Sequence, residues 1–209
     1  CDWSSDVCSS DLSVGPGYWF YSILAGVAQV ISTLLLSKAF KYGEISVTVT
    51  IWKLQVVVVA VFGVILLKED ITLMGFAGIL VSLFGIYLLN AQRSRLSLVE
   101  PFLTLFREKG MRYALLAGVT VAPTILLFKK TAQMSDPYFS TLTNYVFAAL
   151  LILPLLIRKS ARQMASVPRY LPRFLVMGAF AAGATILGNF GYVLSAAAYV
   201  EAVKQVEIP

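Results

Sequence analysis

Residues 45–67 read Ile45-Ser46-Val47-Thr48-Val49-Thr50-Ile51-Trp52-Lys53-Leu54-Gln55-Val56-Val57-Val58-Val59-Ala60-Val61-Phe62-Gly63-Val64-Ile65-Leu66-Leu67. The run carries one charge, Lys53, and no proline. A hydrocarbon core of about 30 Å is crossed by roughly 20 apolar residues in a helix, and this stretch is long enough. From Val56 to Leu67 the run is continuous and does not alternate at period two, so a helix is favoured over a barrel strand. In lipid every backbone N–H and C=O must find its partner inside the segment, which leaves an α-helix.

Working outward, five more such runs appear: Tyr18–Phe40, Ile71–Ala91, Tyr113–Phe128, Phe139–Ile157 and Phe174–Leu194. A seventh begins near Tyr199. Polar and turn signals separate them at Lys41-Tyr42-Gly43-Glu44, Lys68-Glu69-Asp70, Ser135-Asp136-Pro137 and the stretch from Arg158 to Arg173. The expected fold class is therefore an all-α integral membrane protein with six transmembrane helices plus the start of a seventh. Composition agrees: 58% of the 209 residues are hydrophobic, 13% are charged and the mean hydropathy is +0.80. A soluble domain has about 25% charged residues. The net charge of +6 does not point to nucleic acid, because the basic residues sit in short clusters between apolar runs, as membrane loops do.

Several function classes fall away. The chain has no histidine, so no Ser–His or Cys–His pair and no histidine metal site can form. Its two cysteines, Cys1 and Cys8, lie at the start of the chain and imply neither a disulfide framework nor a zinc site. No cofactor and no metal are expected. Residues 1–12, Cys1-Asp2-Trp3-Ser4-Ser5-Asp6-Val7-Cys8-Ser9-Ser10-Asp11-Leu12, resemble a translated sequencing-adapter tag and are set apart from the fold. The remainder reads as truncated at both ends.

Charge sets an orientation. Lys38, Lys41, Arg93, Arg95, Arg107, Lys109, Arg112, Arg158, Lys159, Arg162, Arg169 and Arg173 fall on one side, against Lys68, Lys129 and Lys130 on the other. The richer side is expected in the cytoplasm, which places the chain as a multi-pass protein of a bacterial inner membrane. The connection 92–112 carries Leu98-Val99-Glu100-Pro101-Phe102-Leu103-Thr104-Leu105-Phe106. That piece is too short to span and reads either as an interfacial segment or as a plain linker.

The turn after the second run resembles a known pattern. Gly63-Val64-Ile65-Leu66-Leu67-Lys68-Glu69-Asp70-Ile71-Thr72, followed by Gly75, Gly78 and Gly85, resembles the end of an EamA-type repeat. Phe128-Lys129-Lys130 with Ser135-Asp136-Pro137 resembles the opening of the second repeat, and Ala198-Tyr199-Val200-Glu201-Ala202-Val203-Lys204-Gln205 the start of that repeat's fourth helix. The resemblance implies the drug/metabolite transporter superfamily, with ten helices in two five-helix repeats of opposite orientation. On that map, residues 13–91 are the C-terminal part of the first repeat, 92–112 a linker and 113–209 a truncated second repeat. A start in the cytoplasm, as in many relatives, would turn 92–112 outward, against the charge count, and the count is preferred here.

The residues expected to carry chemistry are polar groups inside apolar runs. Lys53 lies about 12 Å from the end of its helix at 1.5 Å per residue. A lysine near mid-membrane costs about 2.5–3.5 kcal/mol on insertion scales, so it should meet a wet cavity or a partner. Functionally it would attract an anionic group of a substrate; structurally it would snorkel or pair. Lys204 aligns with Lys53 when the second run is superposed on the seventh, and has Glu201 and Glu207 at i−3 and i+3. Gln55, Asn144, Asn189 and Trp52 complete the expected substrate-binding set, with Gln29 and Tyr145 as further pocket-lining residues. Interhelical bonding and packing are the structural alternatives. Pro123 and Pro154 are expected to kink their helices, and Glu69 and Asp70 to cap the helix that follows them.

The function expected is secondary transport of small organic metabolites or drugs by alternating access, more often outward. The partners are a small-molecule substrate and the lipid bilayer. No P-loop is present, so coupling would be to a proton gradient or to exchange. The competing readings are a membrane-embedded enzyme acting on a lipid-linked intermediate and a non-transporting structural membrane protein. Spans without His or Cys argue against the former.

Overall fold

The computed structural model describes residues 14–91, 108–164 and 167–204. Residues 1–12 and most of the 92–112 connection lie outside the described residues, as does Glu207. All described secondary structure is helical: α1 Tyr18–Tyr42, α2 Ile45–Lys53, α3 Gln55–Leu67, α4 Leu73–Ala91, α5 Lys109–Met134, α6 Pro137–Met164, α7 Val167–Leu194 and α8 Ala197–Lys204. Five helical segments are long and apolar enough to cross a membrane: Tyr18–Tyr42, Val47–Leu67, Lys109–Met134, Pro137–Ser160 and Val167–Leu194. The chain is thus an all-α multi-pass membrane protein. The expected span at Ile71–Ala91 is the apolar helix α4, and the seventh begins as α8.

Most helices extend past the apolar runs that announce them. α5 starts at Lys109 instead of Tyr113, and continues through Lys129 and Lys130 to Met134. Lysine and arginine are good helix formers, and their stems run along apolar surface while the charge reaches water. Hydropathy therefore marks the membrane segment and not the helix end. Both prolines lie inside their helices. α6 runs through Pro154, and its non-helical backbone falls at Ser160 (φ −137°, ψ 25°). α5 contains Pro123 within one continuous helix.

The bundle is organised around α5, which packs on α1, α2, α3, α6, α7 and α8. Small residues make this close packing possible. A Cβ placed on Gly110 would lie 2.5 Å from the Cα of Gly43, and one on Gly26 would lie 2.9 Å from the Cβ of Phe147. The main core joins Val56 and Val59 of α3, Ile79 of α4, Ala122, Ile125 and Leu126 of α5, Tyr192 of α7 and Ala197 and Ala198 of α8. By contrast α4 and α7 present Leu73, Met74, Val81, Leu175, Met177, Phe180 and Leu187 outward. In water such an apolar face would be a liability; it suits the apolar surroundings of a membrane helix.

The two ends of the bundle are distinct. One gathers Gly15, Lys68–Asp70, Met134 and Ser195, tied by the Gly15 N–H to the Met134 carbonyl at 3.0 Å and by Lys129 Nζ to the Ser195 carbonyl at 2.6 Å. The other gathers Gly43, Gly110 and the Tyr42–Tyr113 ring stack, with Lys38 Nζ 5.5 Å from the Tyr113 ring.

Candidate functional site

The span quoted at the outset is pinched at one residue, Leu54, which keeps right-handed helical angles (φ −61°, ψ −10°). α2 stops at Lys53 and α3 restarts at Gln55, with Leu54 between them. The Leu54 N–H bonds the Ile51 carbonyl at 3.1 Å and the Val57 N–H bonds the Leu54 carbonyl at 3.1 Å. These i to i−3 bonds tighten the backbone locally, as a short 3₁₀ turn does. Backbone irregularity at membrane depth is tolerated only inside protein or beside a water-filled cavity, and this one lies under α5: a Cβ on Gly118 would lie 3.4 Å from the Trp52 carbonyl oxygen.

Three of the expected site residues flank the break. Lys53 is buried and its ammonium lies 5.5 Å from the Trp52 ring centroid, a cation–π distance. Gln55 is buried on the other side of Leu54. Its Nε2 donates to Glu201 Oε2 at 3.0 Å, across from α3 to α8. Trp52 Nε1 and Gln55 Oε1 have no hydrogen-bond partner among the described residues.

Glu201 is the centre of a cluster. It is 3% exposed and receives Gln55 on Oε2, while Oε1 receives Lys204 Nζ at 2.9 Å and the Tyr192 hydroxyl of α7. Lys204 Nζ also donates to the Tyr192 oxygen at 3.3 Å. A single buried carboxylate thus joins α3, α7 and α8. Its cationic partner is unequal to it, since the Lys204 side chain is 40% exposed. The carboxylate has two neutral donors besides the ammonium, whose own side chain is only partly buried.

A second ionic cluster sits at the end of the bundle carrying Lys68–Asp70. α3 closes on Lys68 in the left-handed conformation (φ 52°, ψ 42°), and the Glu69 N–H turns back to the Gly63 carbonyl at 3.2 Å. This Schellman-type end aims Glu69 away from its own helix. Its carboxylate pairs with Lys129 Nζ of α5 at 2.7 Å, both side chains 7% exposed. It also accepts the Ala197 N–H of α8 at 3.2–3.3 Å. The expectation that Glu69 and Asp70 cap the helix after them is therefore corrected. Glu69 caps α8, where it meets the positive end of a helix dipole, and α4 is capped by Thr72, whose Oγ1 accepts the Gly75 N–H at 3.1 Å.

The remaining expected residues lie elsewhere. Asn144 of α6 donates to Thr131 Oγ1 of α5 at 2.9 Å, and Asn189 of α7 donates to Thr141 Oγ1 of α6 at 2.6 Å. Both are fully buried, and neither Oδ1 has a partner among the described residues. Asn189 stands one turn before Tyr192, so α7 turns these two toward the bundle and its apolar residues outward. Gln29 and Tyr145 line a cleft of about 210 Å³ between α1 and α6. The structure thus brings Gln55 and Lys204 together at Glu201, sets Lys53 and Trp52 beside the break two residues from Gln55, and ties Asn144 and Asn189 into separate helix–helix bonds.

Glu201, Tyr192, Glu69 and Lys129 were not among the expected site residues. Glu201 had a signal: an acid in an apolar run, three residues before a lysine. Tyr192 had none, because a tyrosine in a membrane helix is unremarkable until its hydroxyl meets a buried carboxylate.

Residues 8–91 match the EamA-like transporter family, which belongs to the drug/metabolite transporter superfamily. The matched segment begins inside the stretch set apart as a tag and covers α1 to α4, including the helix break and the Lys68-Glu69-Asp70 turn. Its members are membrane transporters and generally not enzymes. No curated protein and no solved structure matches the chain.

Proposed function

We propose that this chain belongs to a secondary carrier that moves small organic metabolites or drugs across a bacterial inner membrane by alternating access, more often outward. The observation that carries the reading is the buried Gln55–Glu201–Tyr192–Lys204 cluster beside the helix break at Leu54. Ionisable groups inside a bundle of membrane helices are expensive, and they mark solute pathways more often than they serve stability. Carriers built from inverted repeats place their substrate sites near mid-membrane at interrupted helices. The break at Leu54 and the cluster on α8 come one from each half of the chain, as such a site requires.

In this reading Lys53 and Lys204 present cationic heads to a polar substrate, and Gln55 and Glu201 fix its hydrogen-bonding groups. Trp52 supplies a flat apolar wall, and Asn144 and Asn189 stiffen the helices behind. Coupling is to a proton gradient or to exchange of one solute for another. The basic end of the bundle, with Lys38, Lys41, Lys109 and Arg112, faces the cytoplasm. Lys129 weighs little in that assignment, being buried against Glu69.

The test is export from bacteria expressing the complete reading frame, measured over a panel of amino acids, sugars and toxic analogues against cells carrying an empty vector. Faster loss of at least one solute and resistance to its toxic analogue are expected. Equal retention of every solute in both strains would contradict the carrier reading.

A further inference from the structure

Alternating access needs packed elements with two arrangements and end contacts that can part. The two ends of this bundle are closed by different chemistry. At the end with Gly43 and Gly110, backbone lies against backbone with no room for a side chain. At the other end the closure is ionic and joins the two halves of the chain. Glu69 comes from the first half; Lys129, Ser195 and Ala197 come from the second.

Both charged heads of that ionic closure have a backbone partner as well as each other. Lys129 donates to Glu69 Oε1 at 2.7 Å and to the Ser195 carbonyl at 2.6 Å, and Glu69 accepts the Ala197 N–H. Such a contact is tight when dry, and each of its charges can be taken up by water once it parts. Water has a place to enter, because Glu69, Asp70, Lys129, Ser195 and Ala196 border a cavity of about 290 Å³. The pair also governs a helix: Glu69 holds the first N–H of α8, and one turn further along α8 stands Glu201. A second bond holds the same helix from the same turn, since the Thr72 N–H donates to the Tyr199 hydroxyl at 2.8 Å.

We propose that Glu69 and Lys129 form a latch that holds α8 in place, and that its parting opens the Glu201 cluster to this end of the bundle. Both are positioning residues, acting through α8. The proposal rests on the carrier reading of that cluster, but its test needs no transported solute.

The chain is placed in lipid nanodiscs, where both faces meet solvent, with Cys1 and Cys8 replaced by serine. Ala198→Cys reports on α8 just behind the latch, and Ala114→Cys reports on α5 at the opposite end; both positions are 0% exposed. The rate of modification by a water-soluble maleimide is read in Glu69→Gln, Lys129→Met and the double variant. Each single change is expected to speed modification at Ala198→Cys about tenfold or more. The double variant should not exceed the faster single one by more than about twofold, because each change already removes the Glu69–Lys129 pair and the glutamine keeps an acceptor for the Ala197 N–H. Ala114→Cys should be unaffected. Unchanged rates at Ala198→Cys in folded variants would overturn the latch. So would equal acceleration at both reporters, which is general loosening, or multiplicative effects in the double variant. If Lys129→Met does not yield folded protein, Glu69→Gln, which keeps an acceptor for the Ala197 N–H, carries the same test. Failure of the export assay beside a positive labelling result would sink the carrier reading and leave the latch standing.

Discussion

The two acid–lysine pairs among the described residues are built from the same groups and are not equivalent. In Glu69–Lys129 both side chains are 7% exposed and each head has one backbone partner besides the other. In Glu201–Lys204 the carboxylate is 3% exposed and the ammonium side chain 40%, and the carboxylate has two neutral donors besides. The first arrangement fixes elements to one another. The second keeps a buried acid in place while leaving its cation able to turn outward. Burial alone would rank the two acids together; the difference lies in what each lysine can do when it lets go.

The largest effect expected is at the pair buried on both sides. Lys129→Met leaves Glu69 charged, buried and facing only the Ala197 N–H, and should cost about 3–5 kcal/mol of stability, as breaking one side of a buried pair does. Its melting temperature in detergent should fall well below that of any Lys204 variant, and equal falls would erase the distinction. Next comes Gly63→Ala. A Cβ there would lie 2.7 Å from Glu69 Oε2, so the carboxylate must leave its seat, at a cost of about 1–3 kcal/mol. If Gly63→Ala melts like the parent, Glu69 is less tightly seated than the geometry requires.

Smaller effects belong to the unequal pair. Glu201→Gln keeps an acceptor for Tyr192 and lets Lys204 turn to water, so about 1–2 kcal/mol is expected, with export lost. Lys204→Gln should cost less than about 1 kcal/mol, because its side chain is 40% exposed and Glu201 keeps two other donors, yet export should fall. A Lys204 variant that melts far below the parent would show that its role is structural.

Which parts of this were legible in the sequence follows from how far apart the causes lie. Each membrane helix could be read from its own residues, because length and apolarity are local and lipid enforces a helix. Helix ends were read short at α5 and α7, since basic residues prolong a helix without adding hydropathy. The break at Leu54 was not legible: no glycine or proline marks it, and Lys53 and Gln55 gave only a hint of polarity. Lys204 was read from its alignment with Lys53 and from Glu201 and Glu207 three residues to either side, whereas Gln55 acquires its partner from α8. Glu69 shows the limit most clearly. Its turn was recognised, but its target is Ala197, and no local pattern links residues from opposite halves of a chain.

The central claim is that the Glu201 cluster lies on the path of the transported solute. The most direct test is the initial rate of solute export from cells expressing the complete reading frame, compared at equal protein levels for Glu201→Gln, Lys53→Gln and the outward-facing Leu175→Ala. The account expects a loss of about tenfold or more for Glu201→Gln and Lys53→Gln, with Leu175→Ala at the parental rate. Parental export by Glu201→Gln and Lys53→Gln would contradict it and return both residues to a purely structural role.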